Sequence, residues 1–272
     1  MSVSAEEDGL EVVKDGAVLR LTLARPQAGN AINNAVMSGL LAALDDASRS
    51  DELRVIALTA RGRNFCTGVD LAEANAPGAR SDGRPRAGHI QRRIGLGAHR
   101  LVRTFADLQL PVVVGVRGWA AGLGNTLALL SDYIVASETA QFWAPFVGRG
   151  FTPDSGSTYL LPRLIGLPRA KEMLLLARPV DAVRAERWGM VTELAPDAEL
   201  EERVEQAVGE FARAATASVA LAKALVHRNL DGDLSQALAQ EALTEETSLR
   251  SADFKEGIAS LREKRDPGYT GL

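Results

Sequence analysis

Cysteine, excess positive charge and long apolar runs are scarce or missing in this sequence. Cys66 is the single cysteine among 272 residues, which excludes an internal disulfide framework and is typical of a reducing cytoplasm. Lysine and arginine number 31 against 35 acidic residues, and the net charge of −4 gives no basic footprint for nucleic acid. No apolar run reaches the ~18 residues of a membrane span, and the acidic N-terminal segment lacks the apolar stretch of a signal peptide. We therefore expect a cytoplasmic protein with neither a nucleic-acid partner nor a membrane segment.

Composition and periodicity predict an α/β protein with a helical C-terminal region. Hydrophobic residues make up 46% of the chain and charged residues 24%, as in ordinary globular proteins. Strand and helix patterns alternate over residues 1–199, which we expect to form the core, whereas residues 200–272 show only amphipathic helical patterns. The predicted strands cover residues 10–13, 18–23, 54–59, 112–116, 133–136 and 140–142, and the predicted helices include residues 34–48 and 89–108. Residues 76–88 are rich in Pro, Gly, Ser and Arg and predict a surface loop.

The stretch most informative about function is residues 112–132, where a strand, a glycine turn and a helix start follow one another. Valines at residues 112–116 predict a buried strand. Gly118, Gly122 and Gly124 then predict a turn that leads into an apolar helix start at residues 126–130. A helix start leaves backbone N–H groups without intrahelical acceptors, and such groups bind electron-rich atoms. We expect an electron-rich group of a ligand at this turn.

A series of short motifs occurs along nearly the whole chain. They are R-P at 25–26 with N-A-I at 30–32, F-C-T-G-V-D-L at 65–71, G-W-A-A-G-L-G at 118–124, A-Q-F at 140–142, G-L-P-R-A at 166–170, W-G-M-V at 188–191 and S-x-D-x-x-E-G…E-K-R-x-P within 251–267. In this order they closely resemble the crotonase superfamily, also called the enoyl-CoA hydratase/isomerase family. The resemblance implies a crotonase-like spiral of β-β-α units that assembles as a trimer or a dimer of trimers. It also implies an acyl-CoA thioester as substrate and no metal or redox cofactor.

The resemblance further implies where the site residues lie. In the family two backbone N–H groups hold the thioester oxygen, and the matching groups here belong to Val69 and Leu123. Donors already in place stabilise the enolate that forms when a thioester loses its α-proton, and one of them is typically worth ~3 kcal/mol of barrier. The same motifs supply the residues expected to contact CoA or the acyl group, namely Gln27, Ala28, Thr67, Gly68, Asp70, Leu71, Gly122, Trp143 and Phe146.

Two positions depart from the family's hydratases. Those enzymes carry two glutamates beside the acyl group, and the matching residues here are Thr126 and Phe146. Hydration requires a positioned water and a proton delivered to carbon. A threonine without a partner cannot act as a general base near neutral pH, and a phenylalanine cannot act at all. The sequence therefore does not favour simple hydratase activity.

A carboxylate occurs further along, at Asp154 in the segment G-F-T-P-D-S-G-S. This segment resembles the P-[DE]-x-G segment of family members that shift double bonds, in which one carboxylate takes a proton from carbon and returns it two bonds away. We expect Asp154 to be that acid and base, with Phe146, Phe151, Trp143 and Tyr159 providing apolar surroundings that favour its protonated form. The alternative is that Asp154 only caps a helix that begins near Ser155.

Other interpretations remain open at this point. The same fold and enolate could serve hydration, retro-aldol cleavage or thioester hydrolysis, and a chain without the two glutamates could bind acyl-CoA without catalysis. Glu73 is a less favoured catalytic candidate. A dinucleotide fingerprint at residues 122–127 is disfavoured because its third glycine is absent. We expect Cys66 to be a packed side chain, Asp132 to fix loop backbone, and the three histidines to be ordinary helix-surface residues without metal-ligand spacing.

The helical C-terminal region carries long apolar stripes. One contains Val219, Leu221 and Leu225, and the next contains Leu234 and Leu238 together with Leu243. Such stripes are expected to pack on neighbouring subunits, and the alternative is that they are buried on the chain's own core.

Overall fold

A computed structural model describes residues 9–74 and 87–271 of the chain. The surface loop predicted at residues 76–88 therefore lies almost entirely outside the described residues. No helix in the described ranges is long and apolar enough to cross a membrane.

Nine strands in the described residues form two sheets. The strands are β1 Leu10–Asp15, β2 Val18–Leu23, β3 Val55–Ala60, β4 Val112–Val116, β5 Trp119–Ala121, β6 Tyr133–Ser137, β7 Gln141–Trp143, β8 Val180–Asp181 and β9 Glu193–Ala195. The larger sheet has the order β1-β2-β3-β4-β6-β9 and is parallel except for the β1–β2 hairpin. The smaller sheet has the order β5-β7-β8. All six strands predicted from the sequence are present, whereas the short strands β5, β8 and β9 were not predicted as such.

Eleven α-helices accompany these strands in the described part of the chain. They are α1 Asn34–Ala47, α2 Leu71–Ala74, α3 His89–Leu96, α4 Ala98–Ala106, α5 Leu123–Leu130, α6 Ser157–Leu176, α7 Ala182–Arg187, α8 Leu200–Arg213, α9 Thr216–Asn229, α10 Leu234–Ser248 and α11 Ala252–Glu263. The single helix predicted over residues 89–108 is wrong, because Gly97, at φ −101° and ψ −103°, separates α3 from α4. Helix α6 is likewise interrupted at Gly166, within the G-L-P-R-A motif.

The larger sheet has a hydrophobic cluster on each face. On one face its strands pack with α1, α4 and α5 in the main core. On the other face Val55, Val113 and Val135 pack against Val204 and Val208 of α8. The valine-rich strand β4 is buried along its whole length, because both of its faces are covered.

Helices α9 and α10 pack against each other, and one ion pair fastens α9 to the sheet. Lys223 Nζ lies 2.7 Å from Asp132 Oδ2 and donates a second hydrogen bond to the carbonyl of Leu110. The Asp132 carboxylate also accepts the Val112 N–H at 2.8 Å. This confirms that Asp132 fixes backbone, here at the start of β4.

The apolar stripe of α10 is exposed in the single chain. Leu234 is 74% exposed, Leu238 55% and Leu243 71%. The alternative that this stripe is buried on the chain's own core is therefore wrong for α10. The stripe of α9 is half-buried.

The C-terminal S-x-D-x-x-E-G motif folds the end of the chain back onto α11. Ser251 caps the helix by accepting the Phe254 N–H. The buried carboxylate of Asp253 accepts the N–H groups of Thr270 and Gly271, at 2.7 and 2.9 Å. Most of the motif thus has a structural role.

Candidate active site

The two glycine-containing segments of the sequence analysis run side by side. Residues 65–66 pair with residues 117–121 through a ladder in which Cys66 N–H donates to the Trp119 carbonyl and Ala121 N–H donates to the Cys66 carbonyl, at 2.9 and 2.8 Å. Residues 67–69 follow this pairing, and Gly68 lies beside the turn that precedes α5. The F-C-T-G-V-D-L and G-W-A-A-G-L-G motifs therefore meet in space.

Glycine is required where these segments approach each other. A Cβ atom on Gly68 would lie 3.0 Å from the Ala121 carbonyl oxygen and 3.6 Å from the Leu123 nitrogen, and the residue adopts φ +99°. Gly122 also has a positive φ, of +54°. A side chain at Gly68 would crowd the Ala121 carbonyl, and a side chain at either glycine would strain the backbone.

Two backbone N–H groups come together at this approach. Gly68 accepts the Ile32 N–H, and Asp70 donates to the Ile32 carbonyl, so the N–H of Val69 between them points away from this pairing. Leu123 is the first residue of α5, where an N–H has no intrahelical acceptor. Neither N–H has a hydrogen-bond acceptor among the described residues. Two such donors can hold one oxyanion between them, and their role in this chain stays a prediction.

Most residues expected to contact CoA lie in two segments, 26–32 and 67–71, that hydrogen-bond to each other next to these donors. Residues Pro26–Ala28 form a short 3₁₀ turn, and Thr67 N–H donates to the Gly29 carbonyl at 3.1 Å. The Asp70 carboxylate pairs with Arg25 at 3.0 Å and both side chains are largely buried. Gln27 and Leu71 are exposed, whereas Gly68 is buried and Ala28, Thr67 and Asp70 are half-buried. The structure thus brings together Gln27, Ala28, Thr67, Gly68, Asp70 and Leu71.

Residues 143–154 link the turn before α5 to Asp154 along the chain. Gly122 N–H donates to the Trp143 carbonyl at 3.0 Å, which places the following residues beside the turn. Phe146 is buried and packs edge to face on Phe151, with ring centroids 5.7 Å apart. Asp154 follows three residues after Phe151.

Two of the aromatic residues expected around Asp154 have other partners. The Trp143 indole N–H donates to the Ala177 carbonyl at 2.6 Å, and its ring contacts Trp119 at a centroid distance of 5.4 Å. Tyr159 is half exposed, and its hydroxyl lies 3.2 Å from Asp231. Trp143 and Tyr159 are thus engaged by Ala177, Trp119 and Asp231, whereas Phe146 and Phe151 contact each other.

The Asp154 carboxylate is held by two groups. Its Oδ1 atom lies 2.6 Å from His99 Nε2 and also accepts the Ser155 N–H. The Asp154 side chain is 26% exposed and the His99 side chain 41%. The prediction that His99 is an ordinary surface residue is wrong, and the sequence held no signal for this pair, because 55 residues separate its members.

The helix-cap alternative for Asp154 is also wrong. Helix α6 begins at Ser157 and its N-cap residue is Gly156, without a side-chain cap. Asp154 contributes only its main-chain carbonyl, which accepts the Ser157 hydroxyl at 2.8 Å. The Asp154 carboxylate therefore does not cap α6.

Thr126, Cys66 and Glu73 are the remaining residues that the sequence analysis considered for a catalytic role. Thr126 is fully buried at the start of α5, and neither its hydroxyl nor the Asn125 amide has a hydrogen-bond partner in the described ranges. Burial raises the pKa of the Cys66 thiol to about 12, so Cys66 is protonated at neutral pH and is a packed side chain. The Glu73 side chain lies outside the described residues. No group of three or more potential metal ligands occurs in the part of the chain that is described.

Comparisons with known proteins agree with this geometry. The family model described as enoyl-CoA hydratase/isomerase matches residues 14–271. A probable enoyl-CoA hydratase of Rhodobacter capsulatus is 37% identical over 251 residues, which are 92% of this chain and 93% of that protein. The 1,2-epoxyphenylacetyl-CoA isomerase of Escherichia coli is 34% identical over 260 residues, 93% and 95% of the two chains. The crystal structure of an enoyl-CoA hydratase from Bacillus anthracis superposes with a TM-score of 0.89 at 28% identity, covering 97% of this chain and all of that one.

The chain therefore belongs to the enoyl-CoA hydratase/isomerase family of enzymes, the crotonase superfamily. Its α/β architecture with a C-terminal helical region is the crotonase fold. Both predictions made from the motifs are thus confirmed. Hydratases and isomerases both occur among its relatives, so the choice of reaction depends on the site residues.

Proposed function

We propose that this enzyme moves a carbon–carbon double bond within an enoyl-CoA thioester, with Asp154 as the single acid and base. The observation that carries the proposal is the Asp154 carboxylate itself, which is half-buried and anchored through Oδ1 by His99 and the Ser155 N–H. Thr126 and Phe146 occupy the positions where a hydratase would need carboxylates. One acid–base group suffices for isomerisation but not for hydration.

The proposed reaction begins with a 3-enoyl-CoA whose thioester oxygen accepts the N–H groups of Val69 and Leu123. Asp154 removes a proton from the α-carbon, and the electron pair of the C–H bond delocalises onto the thioester oxygen as an enolate. The two N–H groups stabilise this oxyanion, and each is worth ~3 kcal/mol of barrier. The protonated Asp154 then delivers the proton to the γ-carbon, and the double bond re-forms between the α- and β-carbons. No metal or redox cofactor takes part in this scheme.

Substrate binding is assigned to the surface next to the N–H pair. Gln27, Ala28, Thr67, Gly68, Asp70 and Leu71 are proposed to contact CoA, and Gly122, Trp143 and Phe146 the region of the acyl group. The close packing of residues 26–32 against residues 67–70 supports this assignment. The exposed Val69 and Leu71 provide apolar surface at its edge.

The enzyme is also proposed to assemble as a homotrimer or a dimer of trimers. The exposed stripe of α10 supports this, because Leu234, Leu238 and Leu243 form an apolar surface that a lone chain would leave in water. Light scattering coupled to size exclusion measures the assembly directly. A monomer at micromolar concentration would contradict the proposal.

The test of the reaction is Asp154→Asn, assayed for double-bond migration on a trans-3-enoyl-CoA. We expect kcat to fall by at least about a hundredfold, since an amide cannot accept the proton. Asp46→Asn, on the exposed face of α1, is the matched control and should keep the wild-type rate. Migration at the wild-type rate in Asp154→Asn would overturn the proposal.

Product analysis separates the alternatives. Incubation of the wild-type enzyme with a panel of acyl-CoA esters, followed by mass spectrometry, distinguishes isomerisation from hydration, retro-aldol cleavage and thioester hydrolysis. Tight binding of the panel without turnover would instead indicate an acyl-CoA-binding protein.

A further inference from the structure

The contact between His99 and Asp154 suggests a role for a residue outside the catalytic segments. We propose that His99 is a positioning residue that occupies one oxygen of the Asp154 carboxylate, so that the other oxygen alone carries the transferred proton. The inference rests on the proposed function, in which Asp154 is the acid and base.

The two oxygens of Asp154 have different surroundings. Oδ1 lies 2.6 Å from His99 Nε2 and also accepts the Ser155 N–H. An ionised carboxylate can only accept hydrogen bonds, so Nε2 carries the hydrogen in this contact. Oδ2 has no hydrogen-bond partner in the described residues. Oδ2 is therefore the oxygen available to a substrate C–H group.

The backbone positions both members of the His99–Asp154 contact. Ser155 has φ +57° and Gly156 φ +81°, a pair of left-handed residues that turns the chain sharply after Asp154. His99 lies in the first turn of α4, directly after the break at Gly97, and α4 packs against α5, whose first residue supplies the Leu123 N–H. The fold thus connects the donor that holds Asp154 to the helix that holds the oxyanion.

This arrangement has a consequence for the path of the proton. With Oδ1 occupied by two donors, the proton taken from the α-carbon resides on Oδ2 and is returned to the γ-carbon of the same substrate. Without His99, either oxygen can carry the proton, and Oδ1 would face a half-exposed position that water can reach. The proton would then exchange with solvent before its return.

Deuterium tracing measures this path. A 3-enoyl-CoA with two deuterium atoms on its α-carbon is converted in ordinary water, and the deuterium at the γ-carbon of the product is quantified by NMR. In the wild-type enzyme we expect most of the abstracted deuterium at the γ-carbon. In His99→Leu, which removes the donor, the retained share should fall several-fold, and kcat should fall by up to about a hundredfold with little change in KM.

Three further variants control the interpretation. His99→Gln keeps an N–H donor and should recover most of the retained label and of kcat. His227→Leu, at the end of α9, makes the same change away from Asp154 and should leave both values unchanged. His99→Met also lacks a donor and replaces His99→Leu if that variant does not fold, as judged by circular dichroism.

The outcomes separate the two proposals. If His99→Leu or His99→Met retains the label as the wild type does, or if His99→Gln loses it as they do, the role of His99 is overturned. Loss of activity in Asp154→Asn together with such a result would leave the proposed function intact. Full activity in Asp154→Asn would instead overturn the proposed function itself.

Discussion

Gly124 lies directly against Cys66. A Cβ atom on Gly124 would be 2.5 Å from the Cys66 carbonyl oxygen, 2.6 Å from its Cβ and 2.8 Å from its Sγ atom. Real Cβ atoms do not approach backbone oxygens so closely. This contact allows α5 to begin beside residues 65–69, and so brings the N–H groups of Val69 and Leu123 near each other.

Gly124→Ala should therefore disrupt both stability and activity. We expect the free energy of unfolding to fall by about 2 kcal/mol or more, because the added methyl group must push the two segments apart. The rate of isomerisation should fall as the N–H donors separate. Urea unfolding and steady-state kinetics measure the two effects.

Gly95→Ala is the control, since nothing lies within 4 Å of its Cβ position in α3. This variant should leave the free energy of unfolding unchanged or raise it by up to about 1 kcal/mol. Equal changes in unfolding free energy and in isomerisation rate for Gly124→Ala and Gly95→Ala would contradict the prediction.

Thr126→Val should stabilise the protein without loss of isomerisation. The hydroxyl of Thr126 is fully buried and has no hydrogen-bond partner in the described ranges, so its removal should raise the free energy of unfolding by about 1 kcal/mol. Thr22→Val is the contrasting variant, because it removes a hydroxyl that pairs with Thr59 at 3.2 Å and should destabilise. A large fall in kcat for Thr126→Val would show that this hydroxyl takes part in the chemistry.

Lys223→Met should be strongly destabilising. It leaves the largely buried Asp132 carboxylate without its cation, and breaking such a pair costs about 3 kcal/mol. Chemical unfolding of the full chain measures the loss, and adding Asp132→Asn should recover part of it. Lys14→Met removes one member of the exposed Lys14–Glu52 pair and should change stability little. Similar losses in the two lysine variants would show that the burial of the pair does not matter.

The Glu256 carboxylate should make the free energy of unfolding depend on pH in acidic solution. The Arg265 guanidinium, followed by the Gly268 N–H, lowers the pKa of this carboxyl to about 2 from its usual 4.5. Because the pKa is lower in the folded state, the carboxylate stabilises the fold above about pH 4.5. That contribution is lost as the pH falls from there towards 2. The difference in unfolding free energy between the wild type and Glu256→Gln should therefore shrink over this range, and a difference that stays constant would contradict the assignment.

Much of the fold could be predicted because its signals are local. The valines of β4 indicate a strand buried on both faces, and the alternation of Leu19 and Leu21 with polar residues in β2 indicates a strand of a sheet. The strands β5 and β8 could not be predicted, because they contain only three and two residues. They are defined by hydrogen bonds to β7, which is distant in the sequence.

The break between α3 and α4 was missed for a similar reason. A glycine within a helical pattern is often tolerated, so the sequence around Gly97 does not reveal a helix end. The break matters for the site, since it sets where α4 begins and hence where His99 lies.

The sequence by itself determined the family and the order of the motifs. It also predicted which residues supply the N–H donors and the carboxylate, because backbone donors at glycine turns and a single acidic side chain are encoded locally. Only the tertiary structure decided that Asp154 does not cap α6, that its Oδ1 atom is bound by His99 across 55 residues, and that the stripe of α10 is exposed. These are contacts, or missing contacts, between distant segments. They depend on how helices pack on the sheets, which no short stretch of sequence specifies.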